Sequence, residues 1–371
     1  MKVMTILGTR PEIIRLSVLI KILDSNVEHV LVHTGQNFDS NLSDIFFEDL
    51  DLRKPDYFLN SPGSSFGSSI ANLFSAAEPV IQAENPDAIC ILGDTNSALL
   101  AILAERMGIP VYHMEAGNRS FDPNVPEELN RRIVDHASSF NLPYNEFSRR
   151  NLLSEGLEPR MVLTTGSPLP EVVKTYERKI LDSTITSELG LERGKYLVLS
   201  AHRQETVDHP RRLTTLLDAV EGVSESLGMP VAFSVHPRTR SKLDQMDVKS
   251  SNIKFLEPLS YTGYCRLQKD SYCVLSDSGT VSEEAFLLDF PAVTIRESIE
   301  RPEALETGAV LLGGISLETV SRAVNFARAS SVKNHSVPDG YDVHDFSRRV
   351  LSIILSTSHV HRKWAGLNPL D

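Results

Sequence analysis

The sequence predicts an α/β protein made of two Rossmann-like halves, and three observations carry that expectation. Short apolar runs alternate with helical patterns from the first residue onward, as they do where a parallel sheet is joined by crossover helices. The 371 residues are too many for one ordinary core, so two domains are expected. The alternation also restarts after TGSPLPEVV, whose two prolines suit a boundary.

The elements follow in order. KVMTIL reads as a strand, and Pro11 suits the first helical turn that follows. Ile13, Ile14, Leu16, Leu19, Ile20 and Leu23 then recur at helical spacing. HVLVHT is the next strand, and a helix from Ile70 to Glu84 stops at Asn85-Pro86. DAICIL is almost continuously apolar, as a strand buried on both faces should be. A helix Ala98 to Met107, the strand PVYHM, a helix from Glu127 and a strand at VLTTG complete the first half. In the second half YLVLSAH, VAFSVH, IKFL, YCVLSDSG and PAVTI are strands between helices, and DVHDFSRRVLSIIL closes the chain as an amphipathic helix. Two such halves place the loops at their strands' carboxyl ends around one cleft, where sheets of this kind bind ligands.

Composition narrows the function. The chain is 41% hydrophobic and 23% charged, without the ~20 apolar residues that a membrane span needs. Arg10 and Glu12 directly after the first apolar run make the opening a buried strand instead of a signal peptide. A formal charge of −12 argues against nucleic acid as a partner, although local arginines can still hold a small anion. Cys90, Cys265 and Cys273 form no CxxC and no cluster at metal spacing, so no metal is expected and a reducing, cytoplasmic setting is. Cys90, inside DAICIL, reads as a buried thiol. GxGxxG, GxxxxGK[ST], HExxH and GxSxG are all absent, which disfavours bound nicotinamide, P-loop NTPases, zincins and serine hydrolases.

Polar clusters sit at the strand ends. GTRPEIIR offers a tight turn, a helix N-terminus and the cations Arg10 and Arg15, which suit phosphate or carboxylate; an ordinary capped helix reads equally well. Asp94 ends one strand in LGDTNSA, and Glu115 ends another in HMEAGNRS. Glu127 and Glu128 open a helix, where acids also favourably oppose the dipole. Arg119 or Arg131 could simply neutralise a strand-end carboxylate, but three carboxylates on loops opening the same way point to a site. His202 with Arg203 and Glu205, and His236 with Arg238, repeat the pattern in the second half and suggest an anion site. SDSGTVSEEA is the sharpest piece. Backbone N–H groups at Ser278, Gly279 and Thr280 could cradle a diphosphate, with Glu283 and Glu284 facing ribose hydroxyls; a plain Ser/Thr cap is the alternative.

GTRPEIIR, GDTNS, HMEAGNRS, VPEELNRRIVDH, TGSP, HRQET, SDSGTVSEEA and RESIERPEA occur in the order seen in the non-hydrolysing UDP-N-acetylglucosamine 2-epimerases. The chain resembles that family from Lys2 to about Ile354. The resemblance implies a two-Rossmann fold of the GT-B type, its C-terminal helix crossing back onto the first domain. The expected domains are 1–165, completed by 356–371, and 166–355. It also implies C2 epimerisation of a UDP-linked N-acetylamino sugar. UDP is eliminated across C1–C2 to a glycal, then added back with protonation on the other face.

By residue-to-residue matching, Asp94, Glu115 and Glu127 occupy the family's catalytic-carboxylate positions, with His202 grouped beside them. Arg10, His202, Ser278, Gly279 and Thr280 are implied to hold the diphosphate and Glu284 the ribose, with Arg15, Arg131 and His236 also binding. No cofactor is implied, and a homodimer is. HTGQNFD, GDTNS and MEAGNR look most like the members that form UDP-N-acetyl-L-fucosamine for capsule or O-antigen synthesis. Arg15 stands where many members have Lys, and Asn37 where many have a His that contacts an activating nucleotide sugar. The rival expectations are a UDP-N-acetylglucosamine 2-epimerase, a GT-B glycosyltransferase or a non-catalytic sensor of UDP-sugars.

Overall fold

A computed structural model describes residues 1–36, 40–235, 237–246, 250–297, 299, 301–329, 336–364 and 366, with backbone alone at 40–43, 204–205 and 237–238. The chain divides into two compact units, one of residues 1–175 with 342–371 and one of 176–341.

The first unit holds a six-stranded parallel sheet. Its strands are β1 (Lys2–Leu7), β2 (Glu28–His33), β3 (Tyr57–Phe58), β4 (Ala88–Leu92), β5 (Val111–Met114) and β6 (Phe140–Leu142), in the order β3-β2-β1-β4-β5-β6. Each sequential strand is reached through a crossover helix, because parallel neighbours cannot be joined by a tight turn. The Arg10–Asn26 helix buries Ile13, Leu16, Leu19, Ile20 and Leu23 against the sheet, and β4, AICIL, is buried at every position.

The second unit repeats the plan. Strands β7 (Leu197–Ser200), β8 (Val231–Ser234), β9 (Ile253–Leu256), β10 (Cys273–Ser276), β11 (Ala292–Thr294) and β12 (Leu311–Leu312) form a parallel sheet ordered β12-β11-β10-β7-β8-β9. Counted from its own first strand, this is the same doubly wound order. The order reverses between β1 and β4 in one unit and between β7 and β10 in the other. At such a point the loops leave in opposite directions and open a crevice.

The α/β class with two Rossmann-like sheets is as the sequence predicts, but the joints lie elsewhere. Pro168 and Pro170 do not break the chain. They begin the Leu169–Asp182 helix, whose first turn needs no N–H donors, and the units divide inside that helix. VLTTG does not form a full strand. Val162 makes one isolated bridge to Asn141, and β6 closes that edge of the sheet instead. The final helix, Phe346–Thr357, packs on the Arg10–Asn26 helix. Its Thr357 hydroxyl meets Tyr112 of β5 at 2.7 Å, so the expected division at 355/356 falls inside an element of the first unit. All three cysteines are free and buried, and burial pushes the Cys90 thiol up to about 12. Among the described residues no helix is long and apolar enough to cross a membrane.

Candidate active site

At the switch point of the first unit the chain leaves β1 through Gly8, where a Cβ would lie 2.0 Å from Thr34 Oγ1 and 2.4 Å from Ser97 Oγ. No side chain fits there. Glu12 fixes the turn that follows. Its Oε2 accepts from the N–H groups of Gly8 and Thr9 at 2.8 and 2.7 Å and from the Thr9 hydroxyl at 2.8 Å, while Oε1 accepts from Thr95 Oγ1 at 2.8 Å. One buried carboxylate thus ties the loop after β1 to the loop after β4. Burial pushes its pKa up to about 7, and the donors offset only part of that rise. Arg10, beside this turn, lies 5.8 Å over the Phe46 ring, and burial lowers its pKa.

Asp94 and Glu115 end adjacent strands, and each is held by an arginine. Asp94 Oδ2 accepts from Arg131 Nε at 3.0 Å and Nη2 at 2.7 Å, a forked contact that fixes direction as well as charge. Arg131 reaches back to Glu128 at 3.1 Å. Burial opposes ionisation of Glu128, but the Ser120 N–H and Arg131 outweigh it and hold the carboxyl low. Glu115 Oε2 contacts buried Arg15, whose guanidinium lies 5.9 Å over the Tyr144 ring, and Oε1 accepts from Asn118 Nδ2 at 3.2 Å. Glu115 has a φ of +65°, a left-handed conformation of the kind that surrounding contacts must hold in place at functional sites. A Cβ on Gly93 would lie 3.6 Å from Glu115 Oε2, so the Glu115 carboxylate sits against the end of β4, next to Asp94. Glu127 is half-buried in the first turn of the Pro126–Ala137 helix, one turn before Arg131.

The second switch point is built the same way. Asp277, fully buried after β10, accepts from the N–H groups of His202 and Arg203 at 2.8 Å each, and its other oxygen lies 3.0 Å from His202 Nδ1. Burial alone would raise Asp277, but the His202 charge and these donors outweigh it and hold the carboxyl below its ordinary value. The loop after β7 is thereby locked to the SDSG loop after β10. Ser278 Oγ contacts Thr280 Oγ1 at 2.9 Å and accepts from the Thr280 N–H at 3.3 Å. Glu284 accepts from Thr280 Oγ1 at 2.8 Å and from Gln268 Nε2 at 2.7 Å. Gly279 faces Arg203, whose Nη2 would lie 3.3 Å from a Cβ there. Behind the loop Glu283 pairs with buried Arg301 at 2.7 Å, beside a small cavity lined by Ser278, Gly279, Ser282, Thr294, Arg296 and Arg301.

Of the residues singled out by sequence, the first unit gathers Asp94 with Arg131, and Glu115 with Arg15. The second gathers His202, Ser278, Gly279, Thr280 and Glu284 about the β7–β10 switch point. His236 lies outside the described residues. Glu12, Tyr144, Asn118, Asp277 and the His113–Asp135 pair went unread. The last pair joins β5 to the Pro126–Ala137 helix, and the sequence carries no signal for it, because Asp135 falls on the polar side of that helix, opposite Leu129 and Ile133. Among the described residues, no group of three or more His, Cys, Asp or Glu side chains is placed to hold a metal ion.

Comparison with known proteins assigns the family. The family model for UDP-N-acetylglucosamine 2-epimerase matches residues 21–355. A UDP-N-acetylglucosamine 2-epimerase of Methanocaldococcus jannaschii is 36% identical over 335 residues, 87% of this chain and 91% of that protein. A UDP-2,3-diacetamido-2,3-dideoxy-D-glucuronate 2-epimerase of Pseudomonas aeruginosa is 32% identical over 340 residues, 90% and 94% of the two chains. The structure of the Rickettsia bellii UDP-N-acetylglucosamine 2-epimerase superposes with a TM-score of 0.91 at 39% identity, covering 98% of each chain. That of the M. jannaschii enzyme, in complex with UDP-GlcNAc and UDP, superposes at 0.91 and 34% identity, covering 96% of this chain and 100% of that one. With its doubly wound sheets and its strand-end carboxylates, this chain belongs to the UDP-N-acetylglucosamine 2-epimerase family and is a non-hydrolysing isomerase that inverts C2 of a UDP-sugar.

Proposed function

We propose that the substrate is a UDP-2-acetamido-2,6-dideoxy-L-talose and the product UDP-N-acetyl-L-fucosamine, made in the cytoplasm for capsule or O-antigen synthesis. The observation that carries the chemistry is the pair of arginine-held carboxylates, Asp94 with Arg131 and Glu115 with Arg15, at neighbouring strand ends. C2–H is not next to a carbonyl and is poorly acidic. A carboxylate removes that proton, the C–H electrons form the C1–C2 double bond, and the C1–O bond breaks to release UDP. UDP then re-adds at C1 while a carboxylic acid delivers a proton to the other face of C2. Asp94 and Glu115 are each held by an arginine, and Glu127 lies one turn before Arg131 as a third carboxyl group. Proton exchange at a positioned carboxylate contributes about 10² to 10⁴ in rate.

In this reading Ser278, Gly279, Thr280, His202 and Arg10 bind the diphosphate, Glu284 the ribose, and Arg15, Arg131 and His236 complete the binding set. Glu284 must then exchange its contacts with Thr280 and Gln268 for sugar hydroxyls. The fucosamine assignment is supported by HTGQNFD, GDTNS and MEAGNR and by Asn37 where many members have a His. The named activities of the M. jannaschii relative and of the R. bellii neighbour favour a second reading, UDP-N-acetylglucosamine 2-epimerisation.

Incubation of the protein in D2O with each UDP-sugar, following C2–H by proton NMR, separates the two. Loss of the signal with the L-talo or L-fuco compound alone supports the proposal, and loss with UDP-N-acetylglucosamine alone replaces it with the second reading. A homodimer is part of the proposal. Leu129 is 62% and Ile133 36% exposed on one face of the Pro126–Ala137 helix, with Ile102 at 37% on the adjoining helix, an apolar patch suited to a second copy.

A further inference from the structure

The Pro126–Ala137 helix buries charge: beside Val134 and Asn130 its buried face carries Glu128, Arg131 and Asp135, while Leu129 and Ile133 face outward. Glu128 and Arg131 belong to the site already described, and Asp135 does not touch it. Asp135 is fully buried, and three residues from β5 and the loop after it converge on its carboxylate. Oδ1 lies 3.0 Å from His113 Nδ1, an ion pair more than an aligned hydrogen bond. The Gly117 N–H donates to both oxygens at 3.2 and 3.3 Å. Arg119 Nη1 donates to Oδ2 at 2.7 Å.

The contacts lead to two carboxylates of the site, Asp94 through His113 and Glu115 through Gly117 and Arg119. His113 Nε2 donates to the Gly93 carbonyl at 2.8 Å, and Gly93 precedes Asp94. Gly117 lies two residues after Glu115. Arg119 Nη1 also donates to the Asn118 carbonyl at 2.7 Å, and the Asn118 side chain donates to Glu115 Oε1 at 3.2 Å. Asp135 itself lies two turns after Glu127 on the same helix. We propose that Asp135, acting through His113 and Arg119, is the positioning residue that fixes Asp94, Glu115 and Glu127 relative to one another for C2 epimerisation. The inference rests on the reading of those three carboxylates as the proton-exchanging groups.

The charges of the network support it. A carbonyl can only accept, so His113 Nε2 carries a proton toward Gly93, and the Asp135 carboxylate 3.0 Å from Nδ1 favours the charged imidazolium. Burial alone would lower its pKa, but Asp135 outweighs burial and the net value is raised. Asp135 with His113 and Arg119 with Glu155, at 2.6 Å, leave the cluster balanced. Around buried Asp135, His113 and Arg119, contacts of this kind hold side chains in place more tightly than surface contacts do, because little water competes for the donors.

The test uses the full chain with Asp135→Asn, which keeps shape and removes charge. Its kcat for C2 epimerisation is expected to fall tenfold or more, about what a misplacement near 1 Å costs, with KM and UDP affinity by calorimetry within about twofold of wild type. A folded Asp135→Asn with wild-type kcat overturns the proposal, as does a raised KM with kcat unchanged. If that variant does not fold, His113→Gln carries the test: it keeps a donor toward Gly93 and loses the ion pair. Lower kcat with UDP affinity retained supports the proposal, and unchanged kcat overturns it. Asp94→Asn, Glu115→Gln and Glu127→Gln separate the two levels. Wild-type rates in all three overturn the site reading and this inference together, whereas their inactivity beside an active Asp135→Asn sinks only the positioning role.

Discussion

Arg131 and Glu12 show what one side chain does here that its nearest relative could not. Two donors of Arg131 meet the same Asp94 oxygen and a third reaches Glu128. A lysine ammonium supplies charge without that fork. Arg131→Lys is therefore expected to lower kcat about tenfold, roughly 1.4 kcal/mol of transition-state stabilisation, while circular dichroism stays unchanged. Steady-state rates check it, and an undiminished kcat would mean that direction at Asp94 is unimportant. Glu12 acts on stability. Its carboxyl titrates near 4.5 when unfolded and at about 7 when folded. The folded state thus binds more protons between those values, and the stability tied to the neutral form is present below 4.5 and lost as pH rises to about 7. The loss amounts to at most about 1.4 kcal/mol per pH unit. Glu12→Gln should flatten that stretch of the stability curve, measured by urea unfolding across the range; an equally steep variant would show that Glu12 is not its source.

At the scale of elements, the loop from Glu115 to Arg119 is where fold and site depend most on each other. Gly117 has a φ of +82°, and a Cβ there would lie 2.3 Å from the Ser148 carbonyl oxygen and 2.8 Å from Leu152 Cγ. Both the conformation and the contact exclude a side chain. Gly117→Ala should destabilise the protein by about 2 kcal/mol or more, visible as a lower Tm, and should lower C2 exchange in the protein that remains folded. A variant with unchanged Tm would mean that the loop shifts freely. The same loop explains why the Pro126–Ala137 helix can bury charge. Arg119 and Ser120 supply donors to Asp135 and Glu128, so desolvation is met by paired partners.

For the whole molecule, the two sheets use one device twice. In each unit a buried carboxylate at the strand-order reversal ties the two flanking loops together: Glu12 accepts from both, and Asp277, in the loop after β10, accepts from the loop after β7. Backbone amides at both reversals are thereby fixed before any ligand arrives, which lowers the ordering cost of binding. The proposed homodimer places its prediction at this scale. Leu129→Asp, at a position 62% exposed in the single chain, should shift the protein to monomer in size-exclusion chromatography with light scattering. A variant that stays dimeric would locate the interface elsewhere.

The alternation of apolar runs was enough to read two wound sheets, because burial of parallel strands on both faces leaves an unbroken apolar signature in AICIL, LVLS and CVLS. Strand ends are equally legible, since polarity begins where burial stops, and this brought out Asp94, Glu115, His202 and Ser278. The partnerships were not legible. Arg15 meets Glu115 across 100 residues, and His202 meets Asp277 across 75; no local period links them. Asp135 was hidden for the same reason. Its charge looks well placed in a helix read alone, opposite Leu129 and Ile133, and only the folded unit buries it and brings His113, Gly117 and Arg119 to satisfy it. Sequence by itself determined the layers and the family of chemistry, because both follow from local patterns. Tertiary structure decided which carboxylate each cation holds, because a buried charge takes its partner from whatever the fold places beside it.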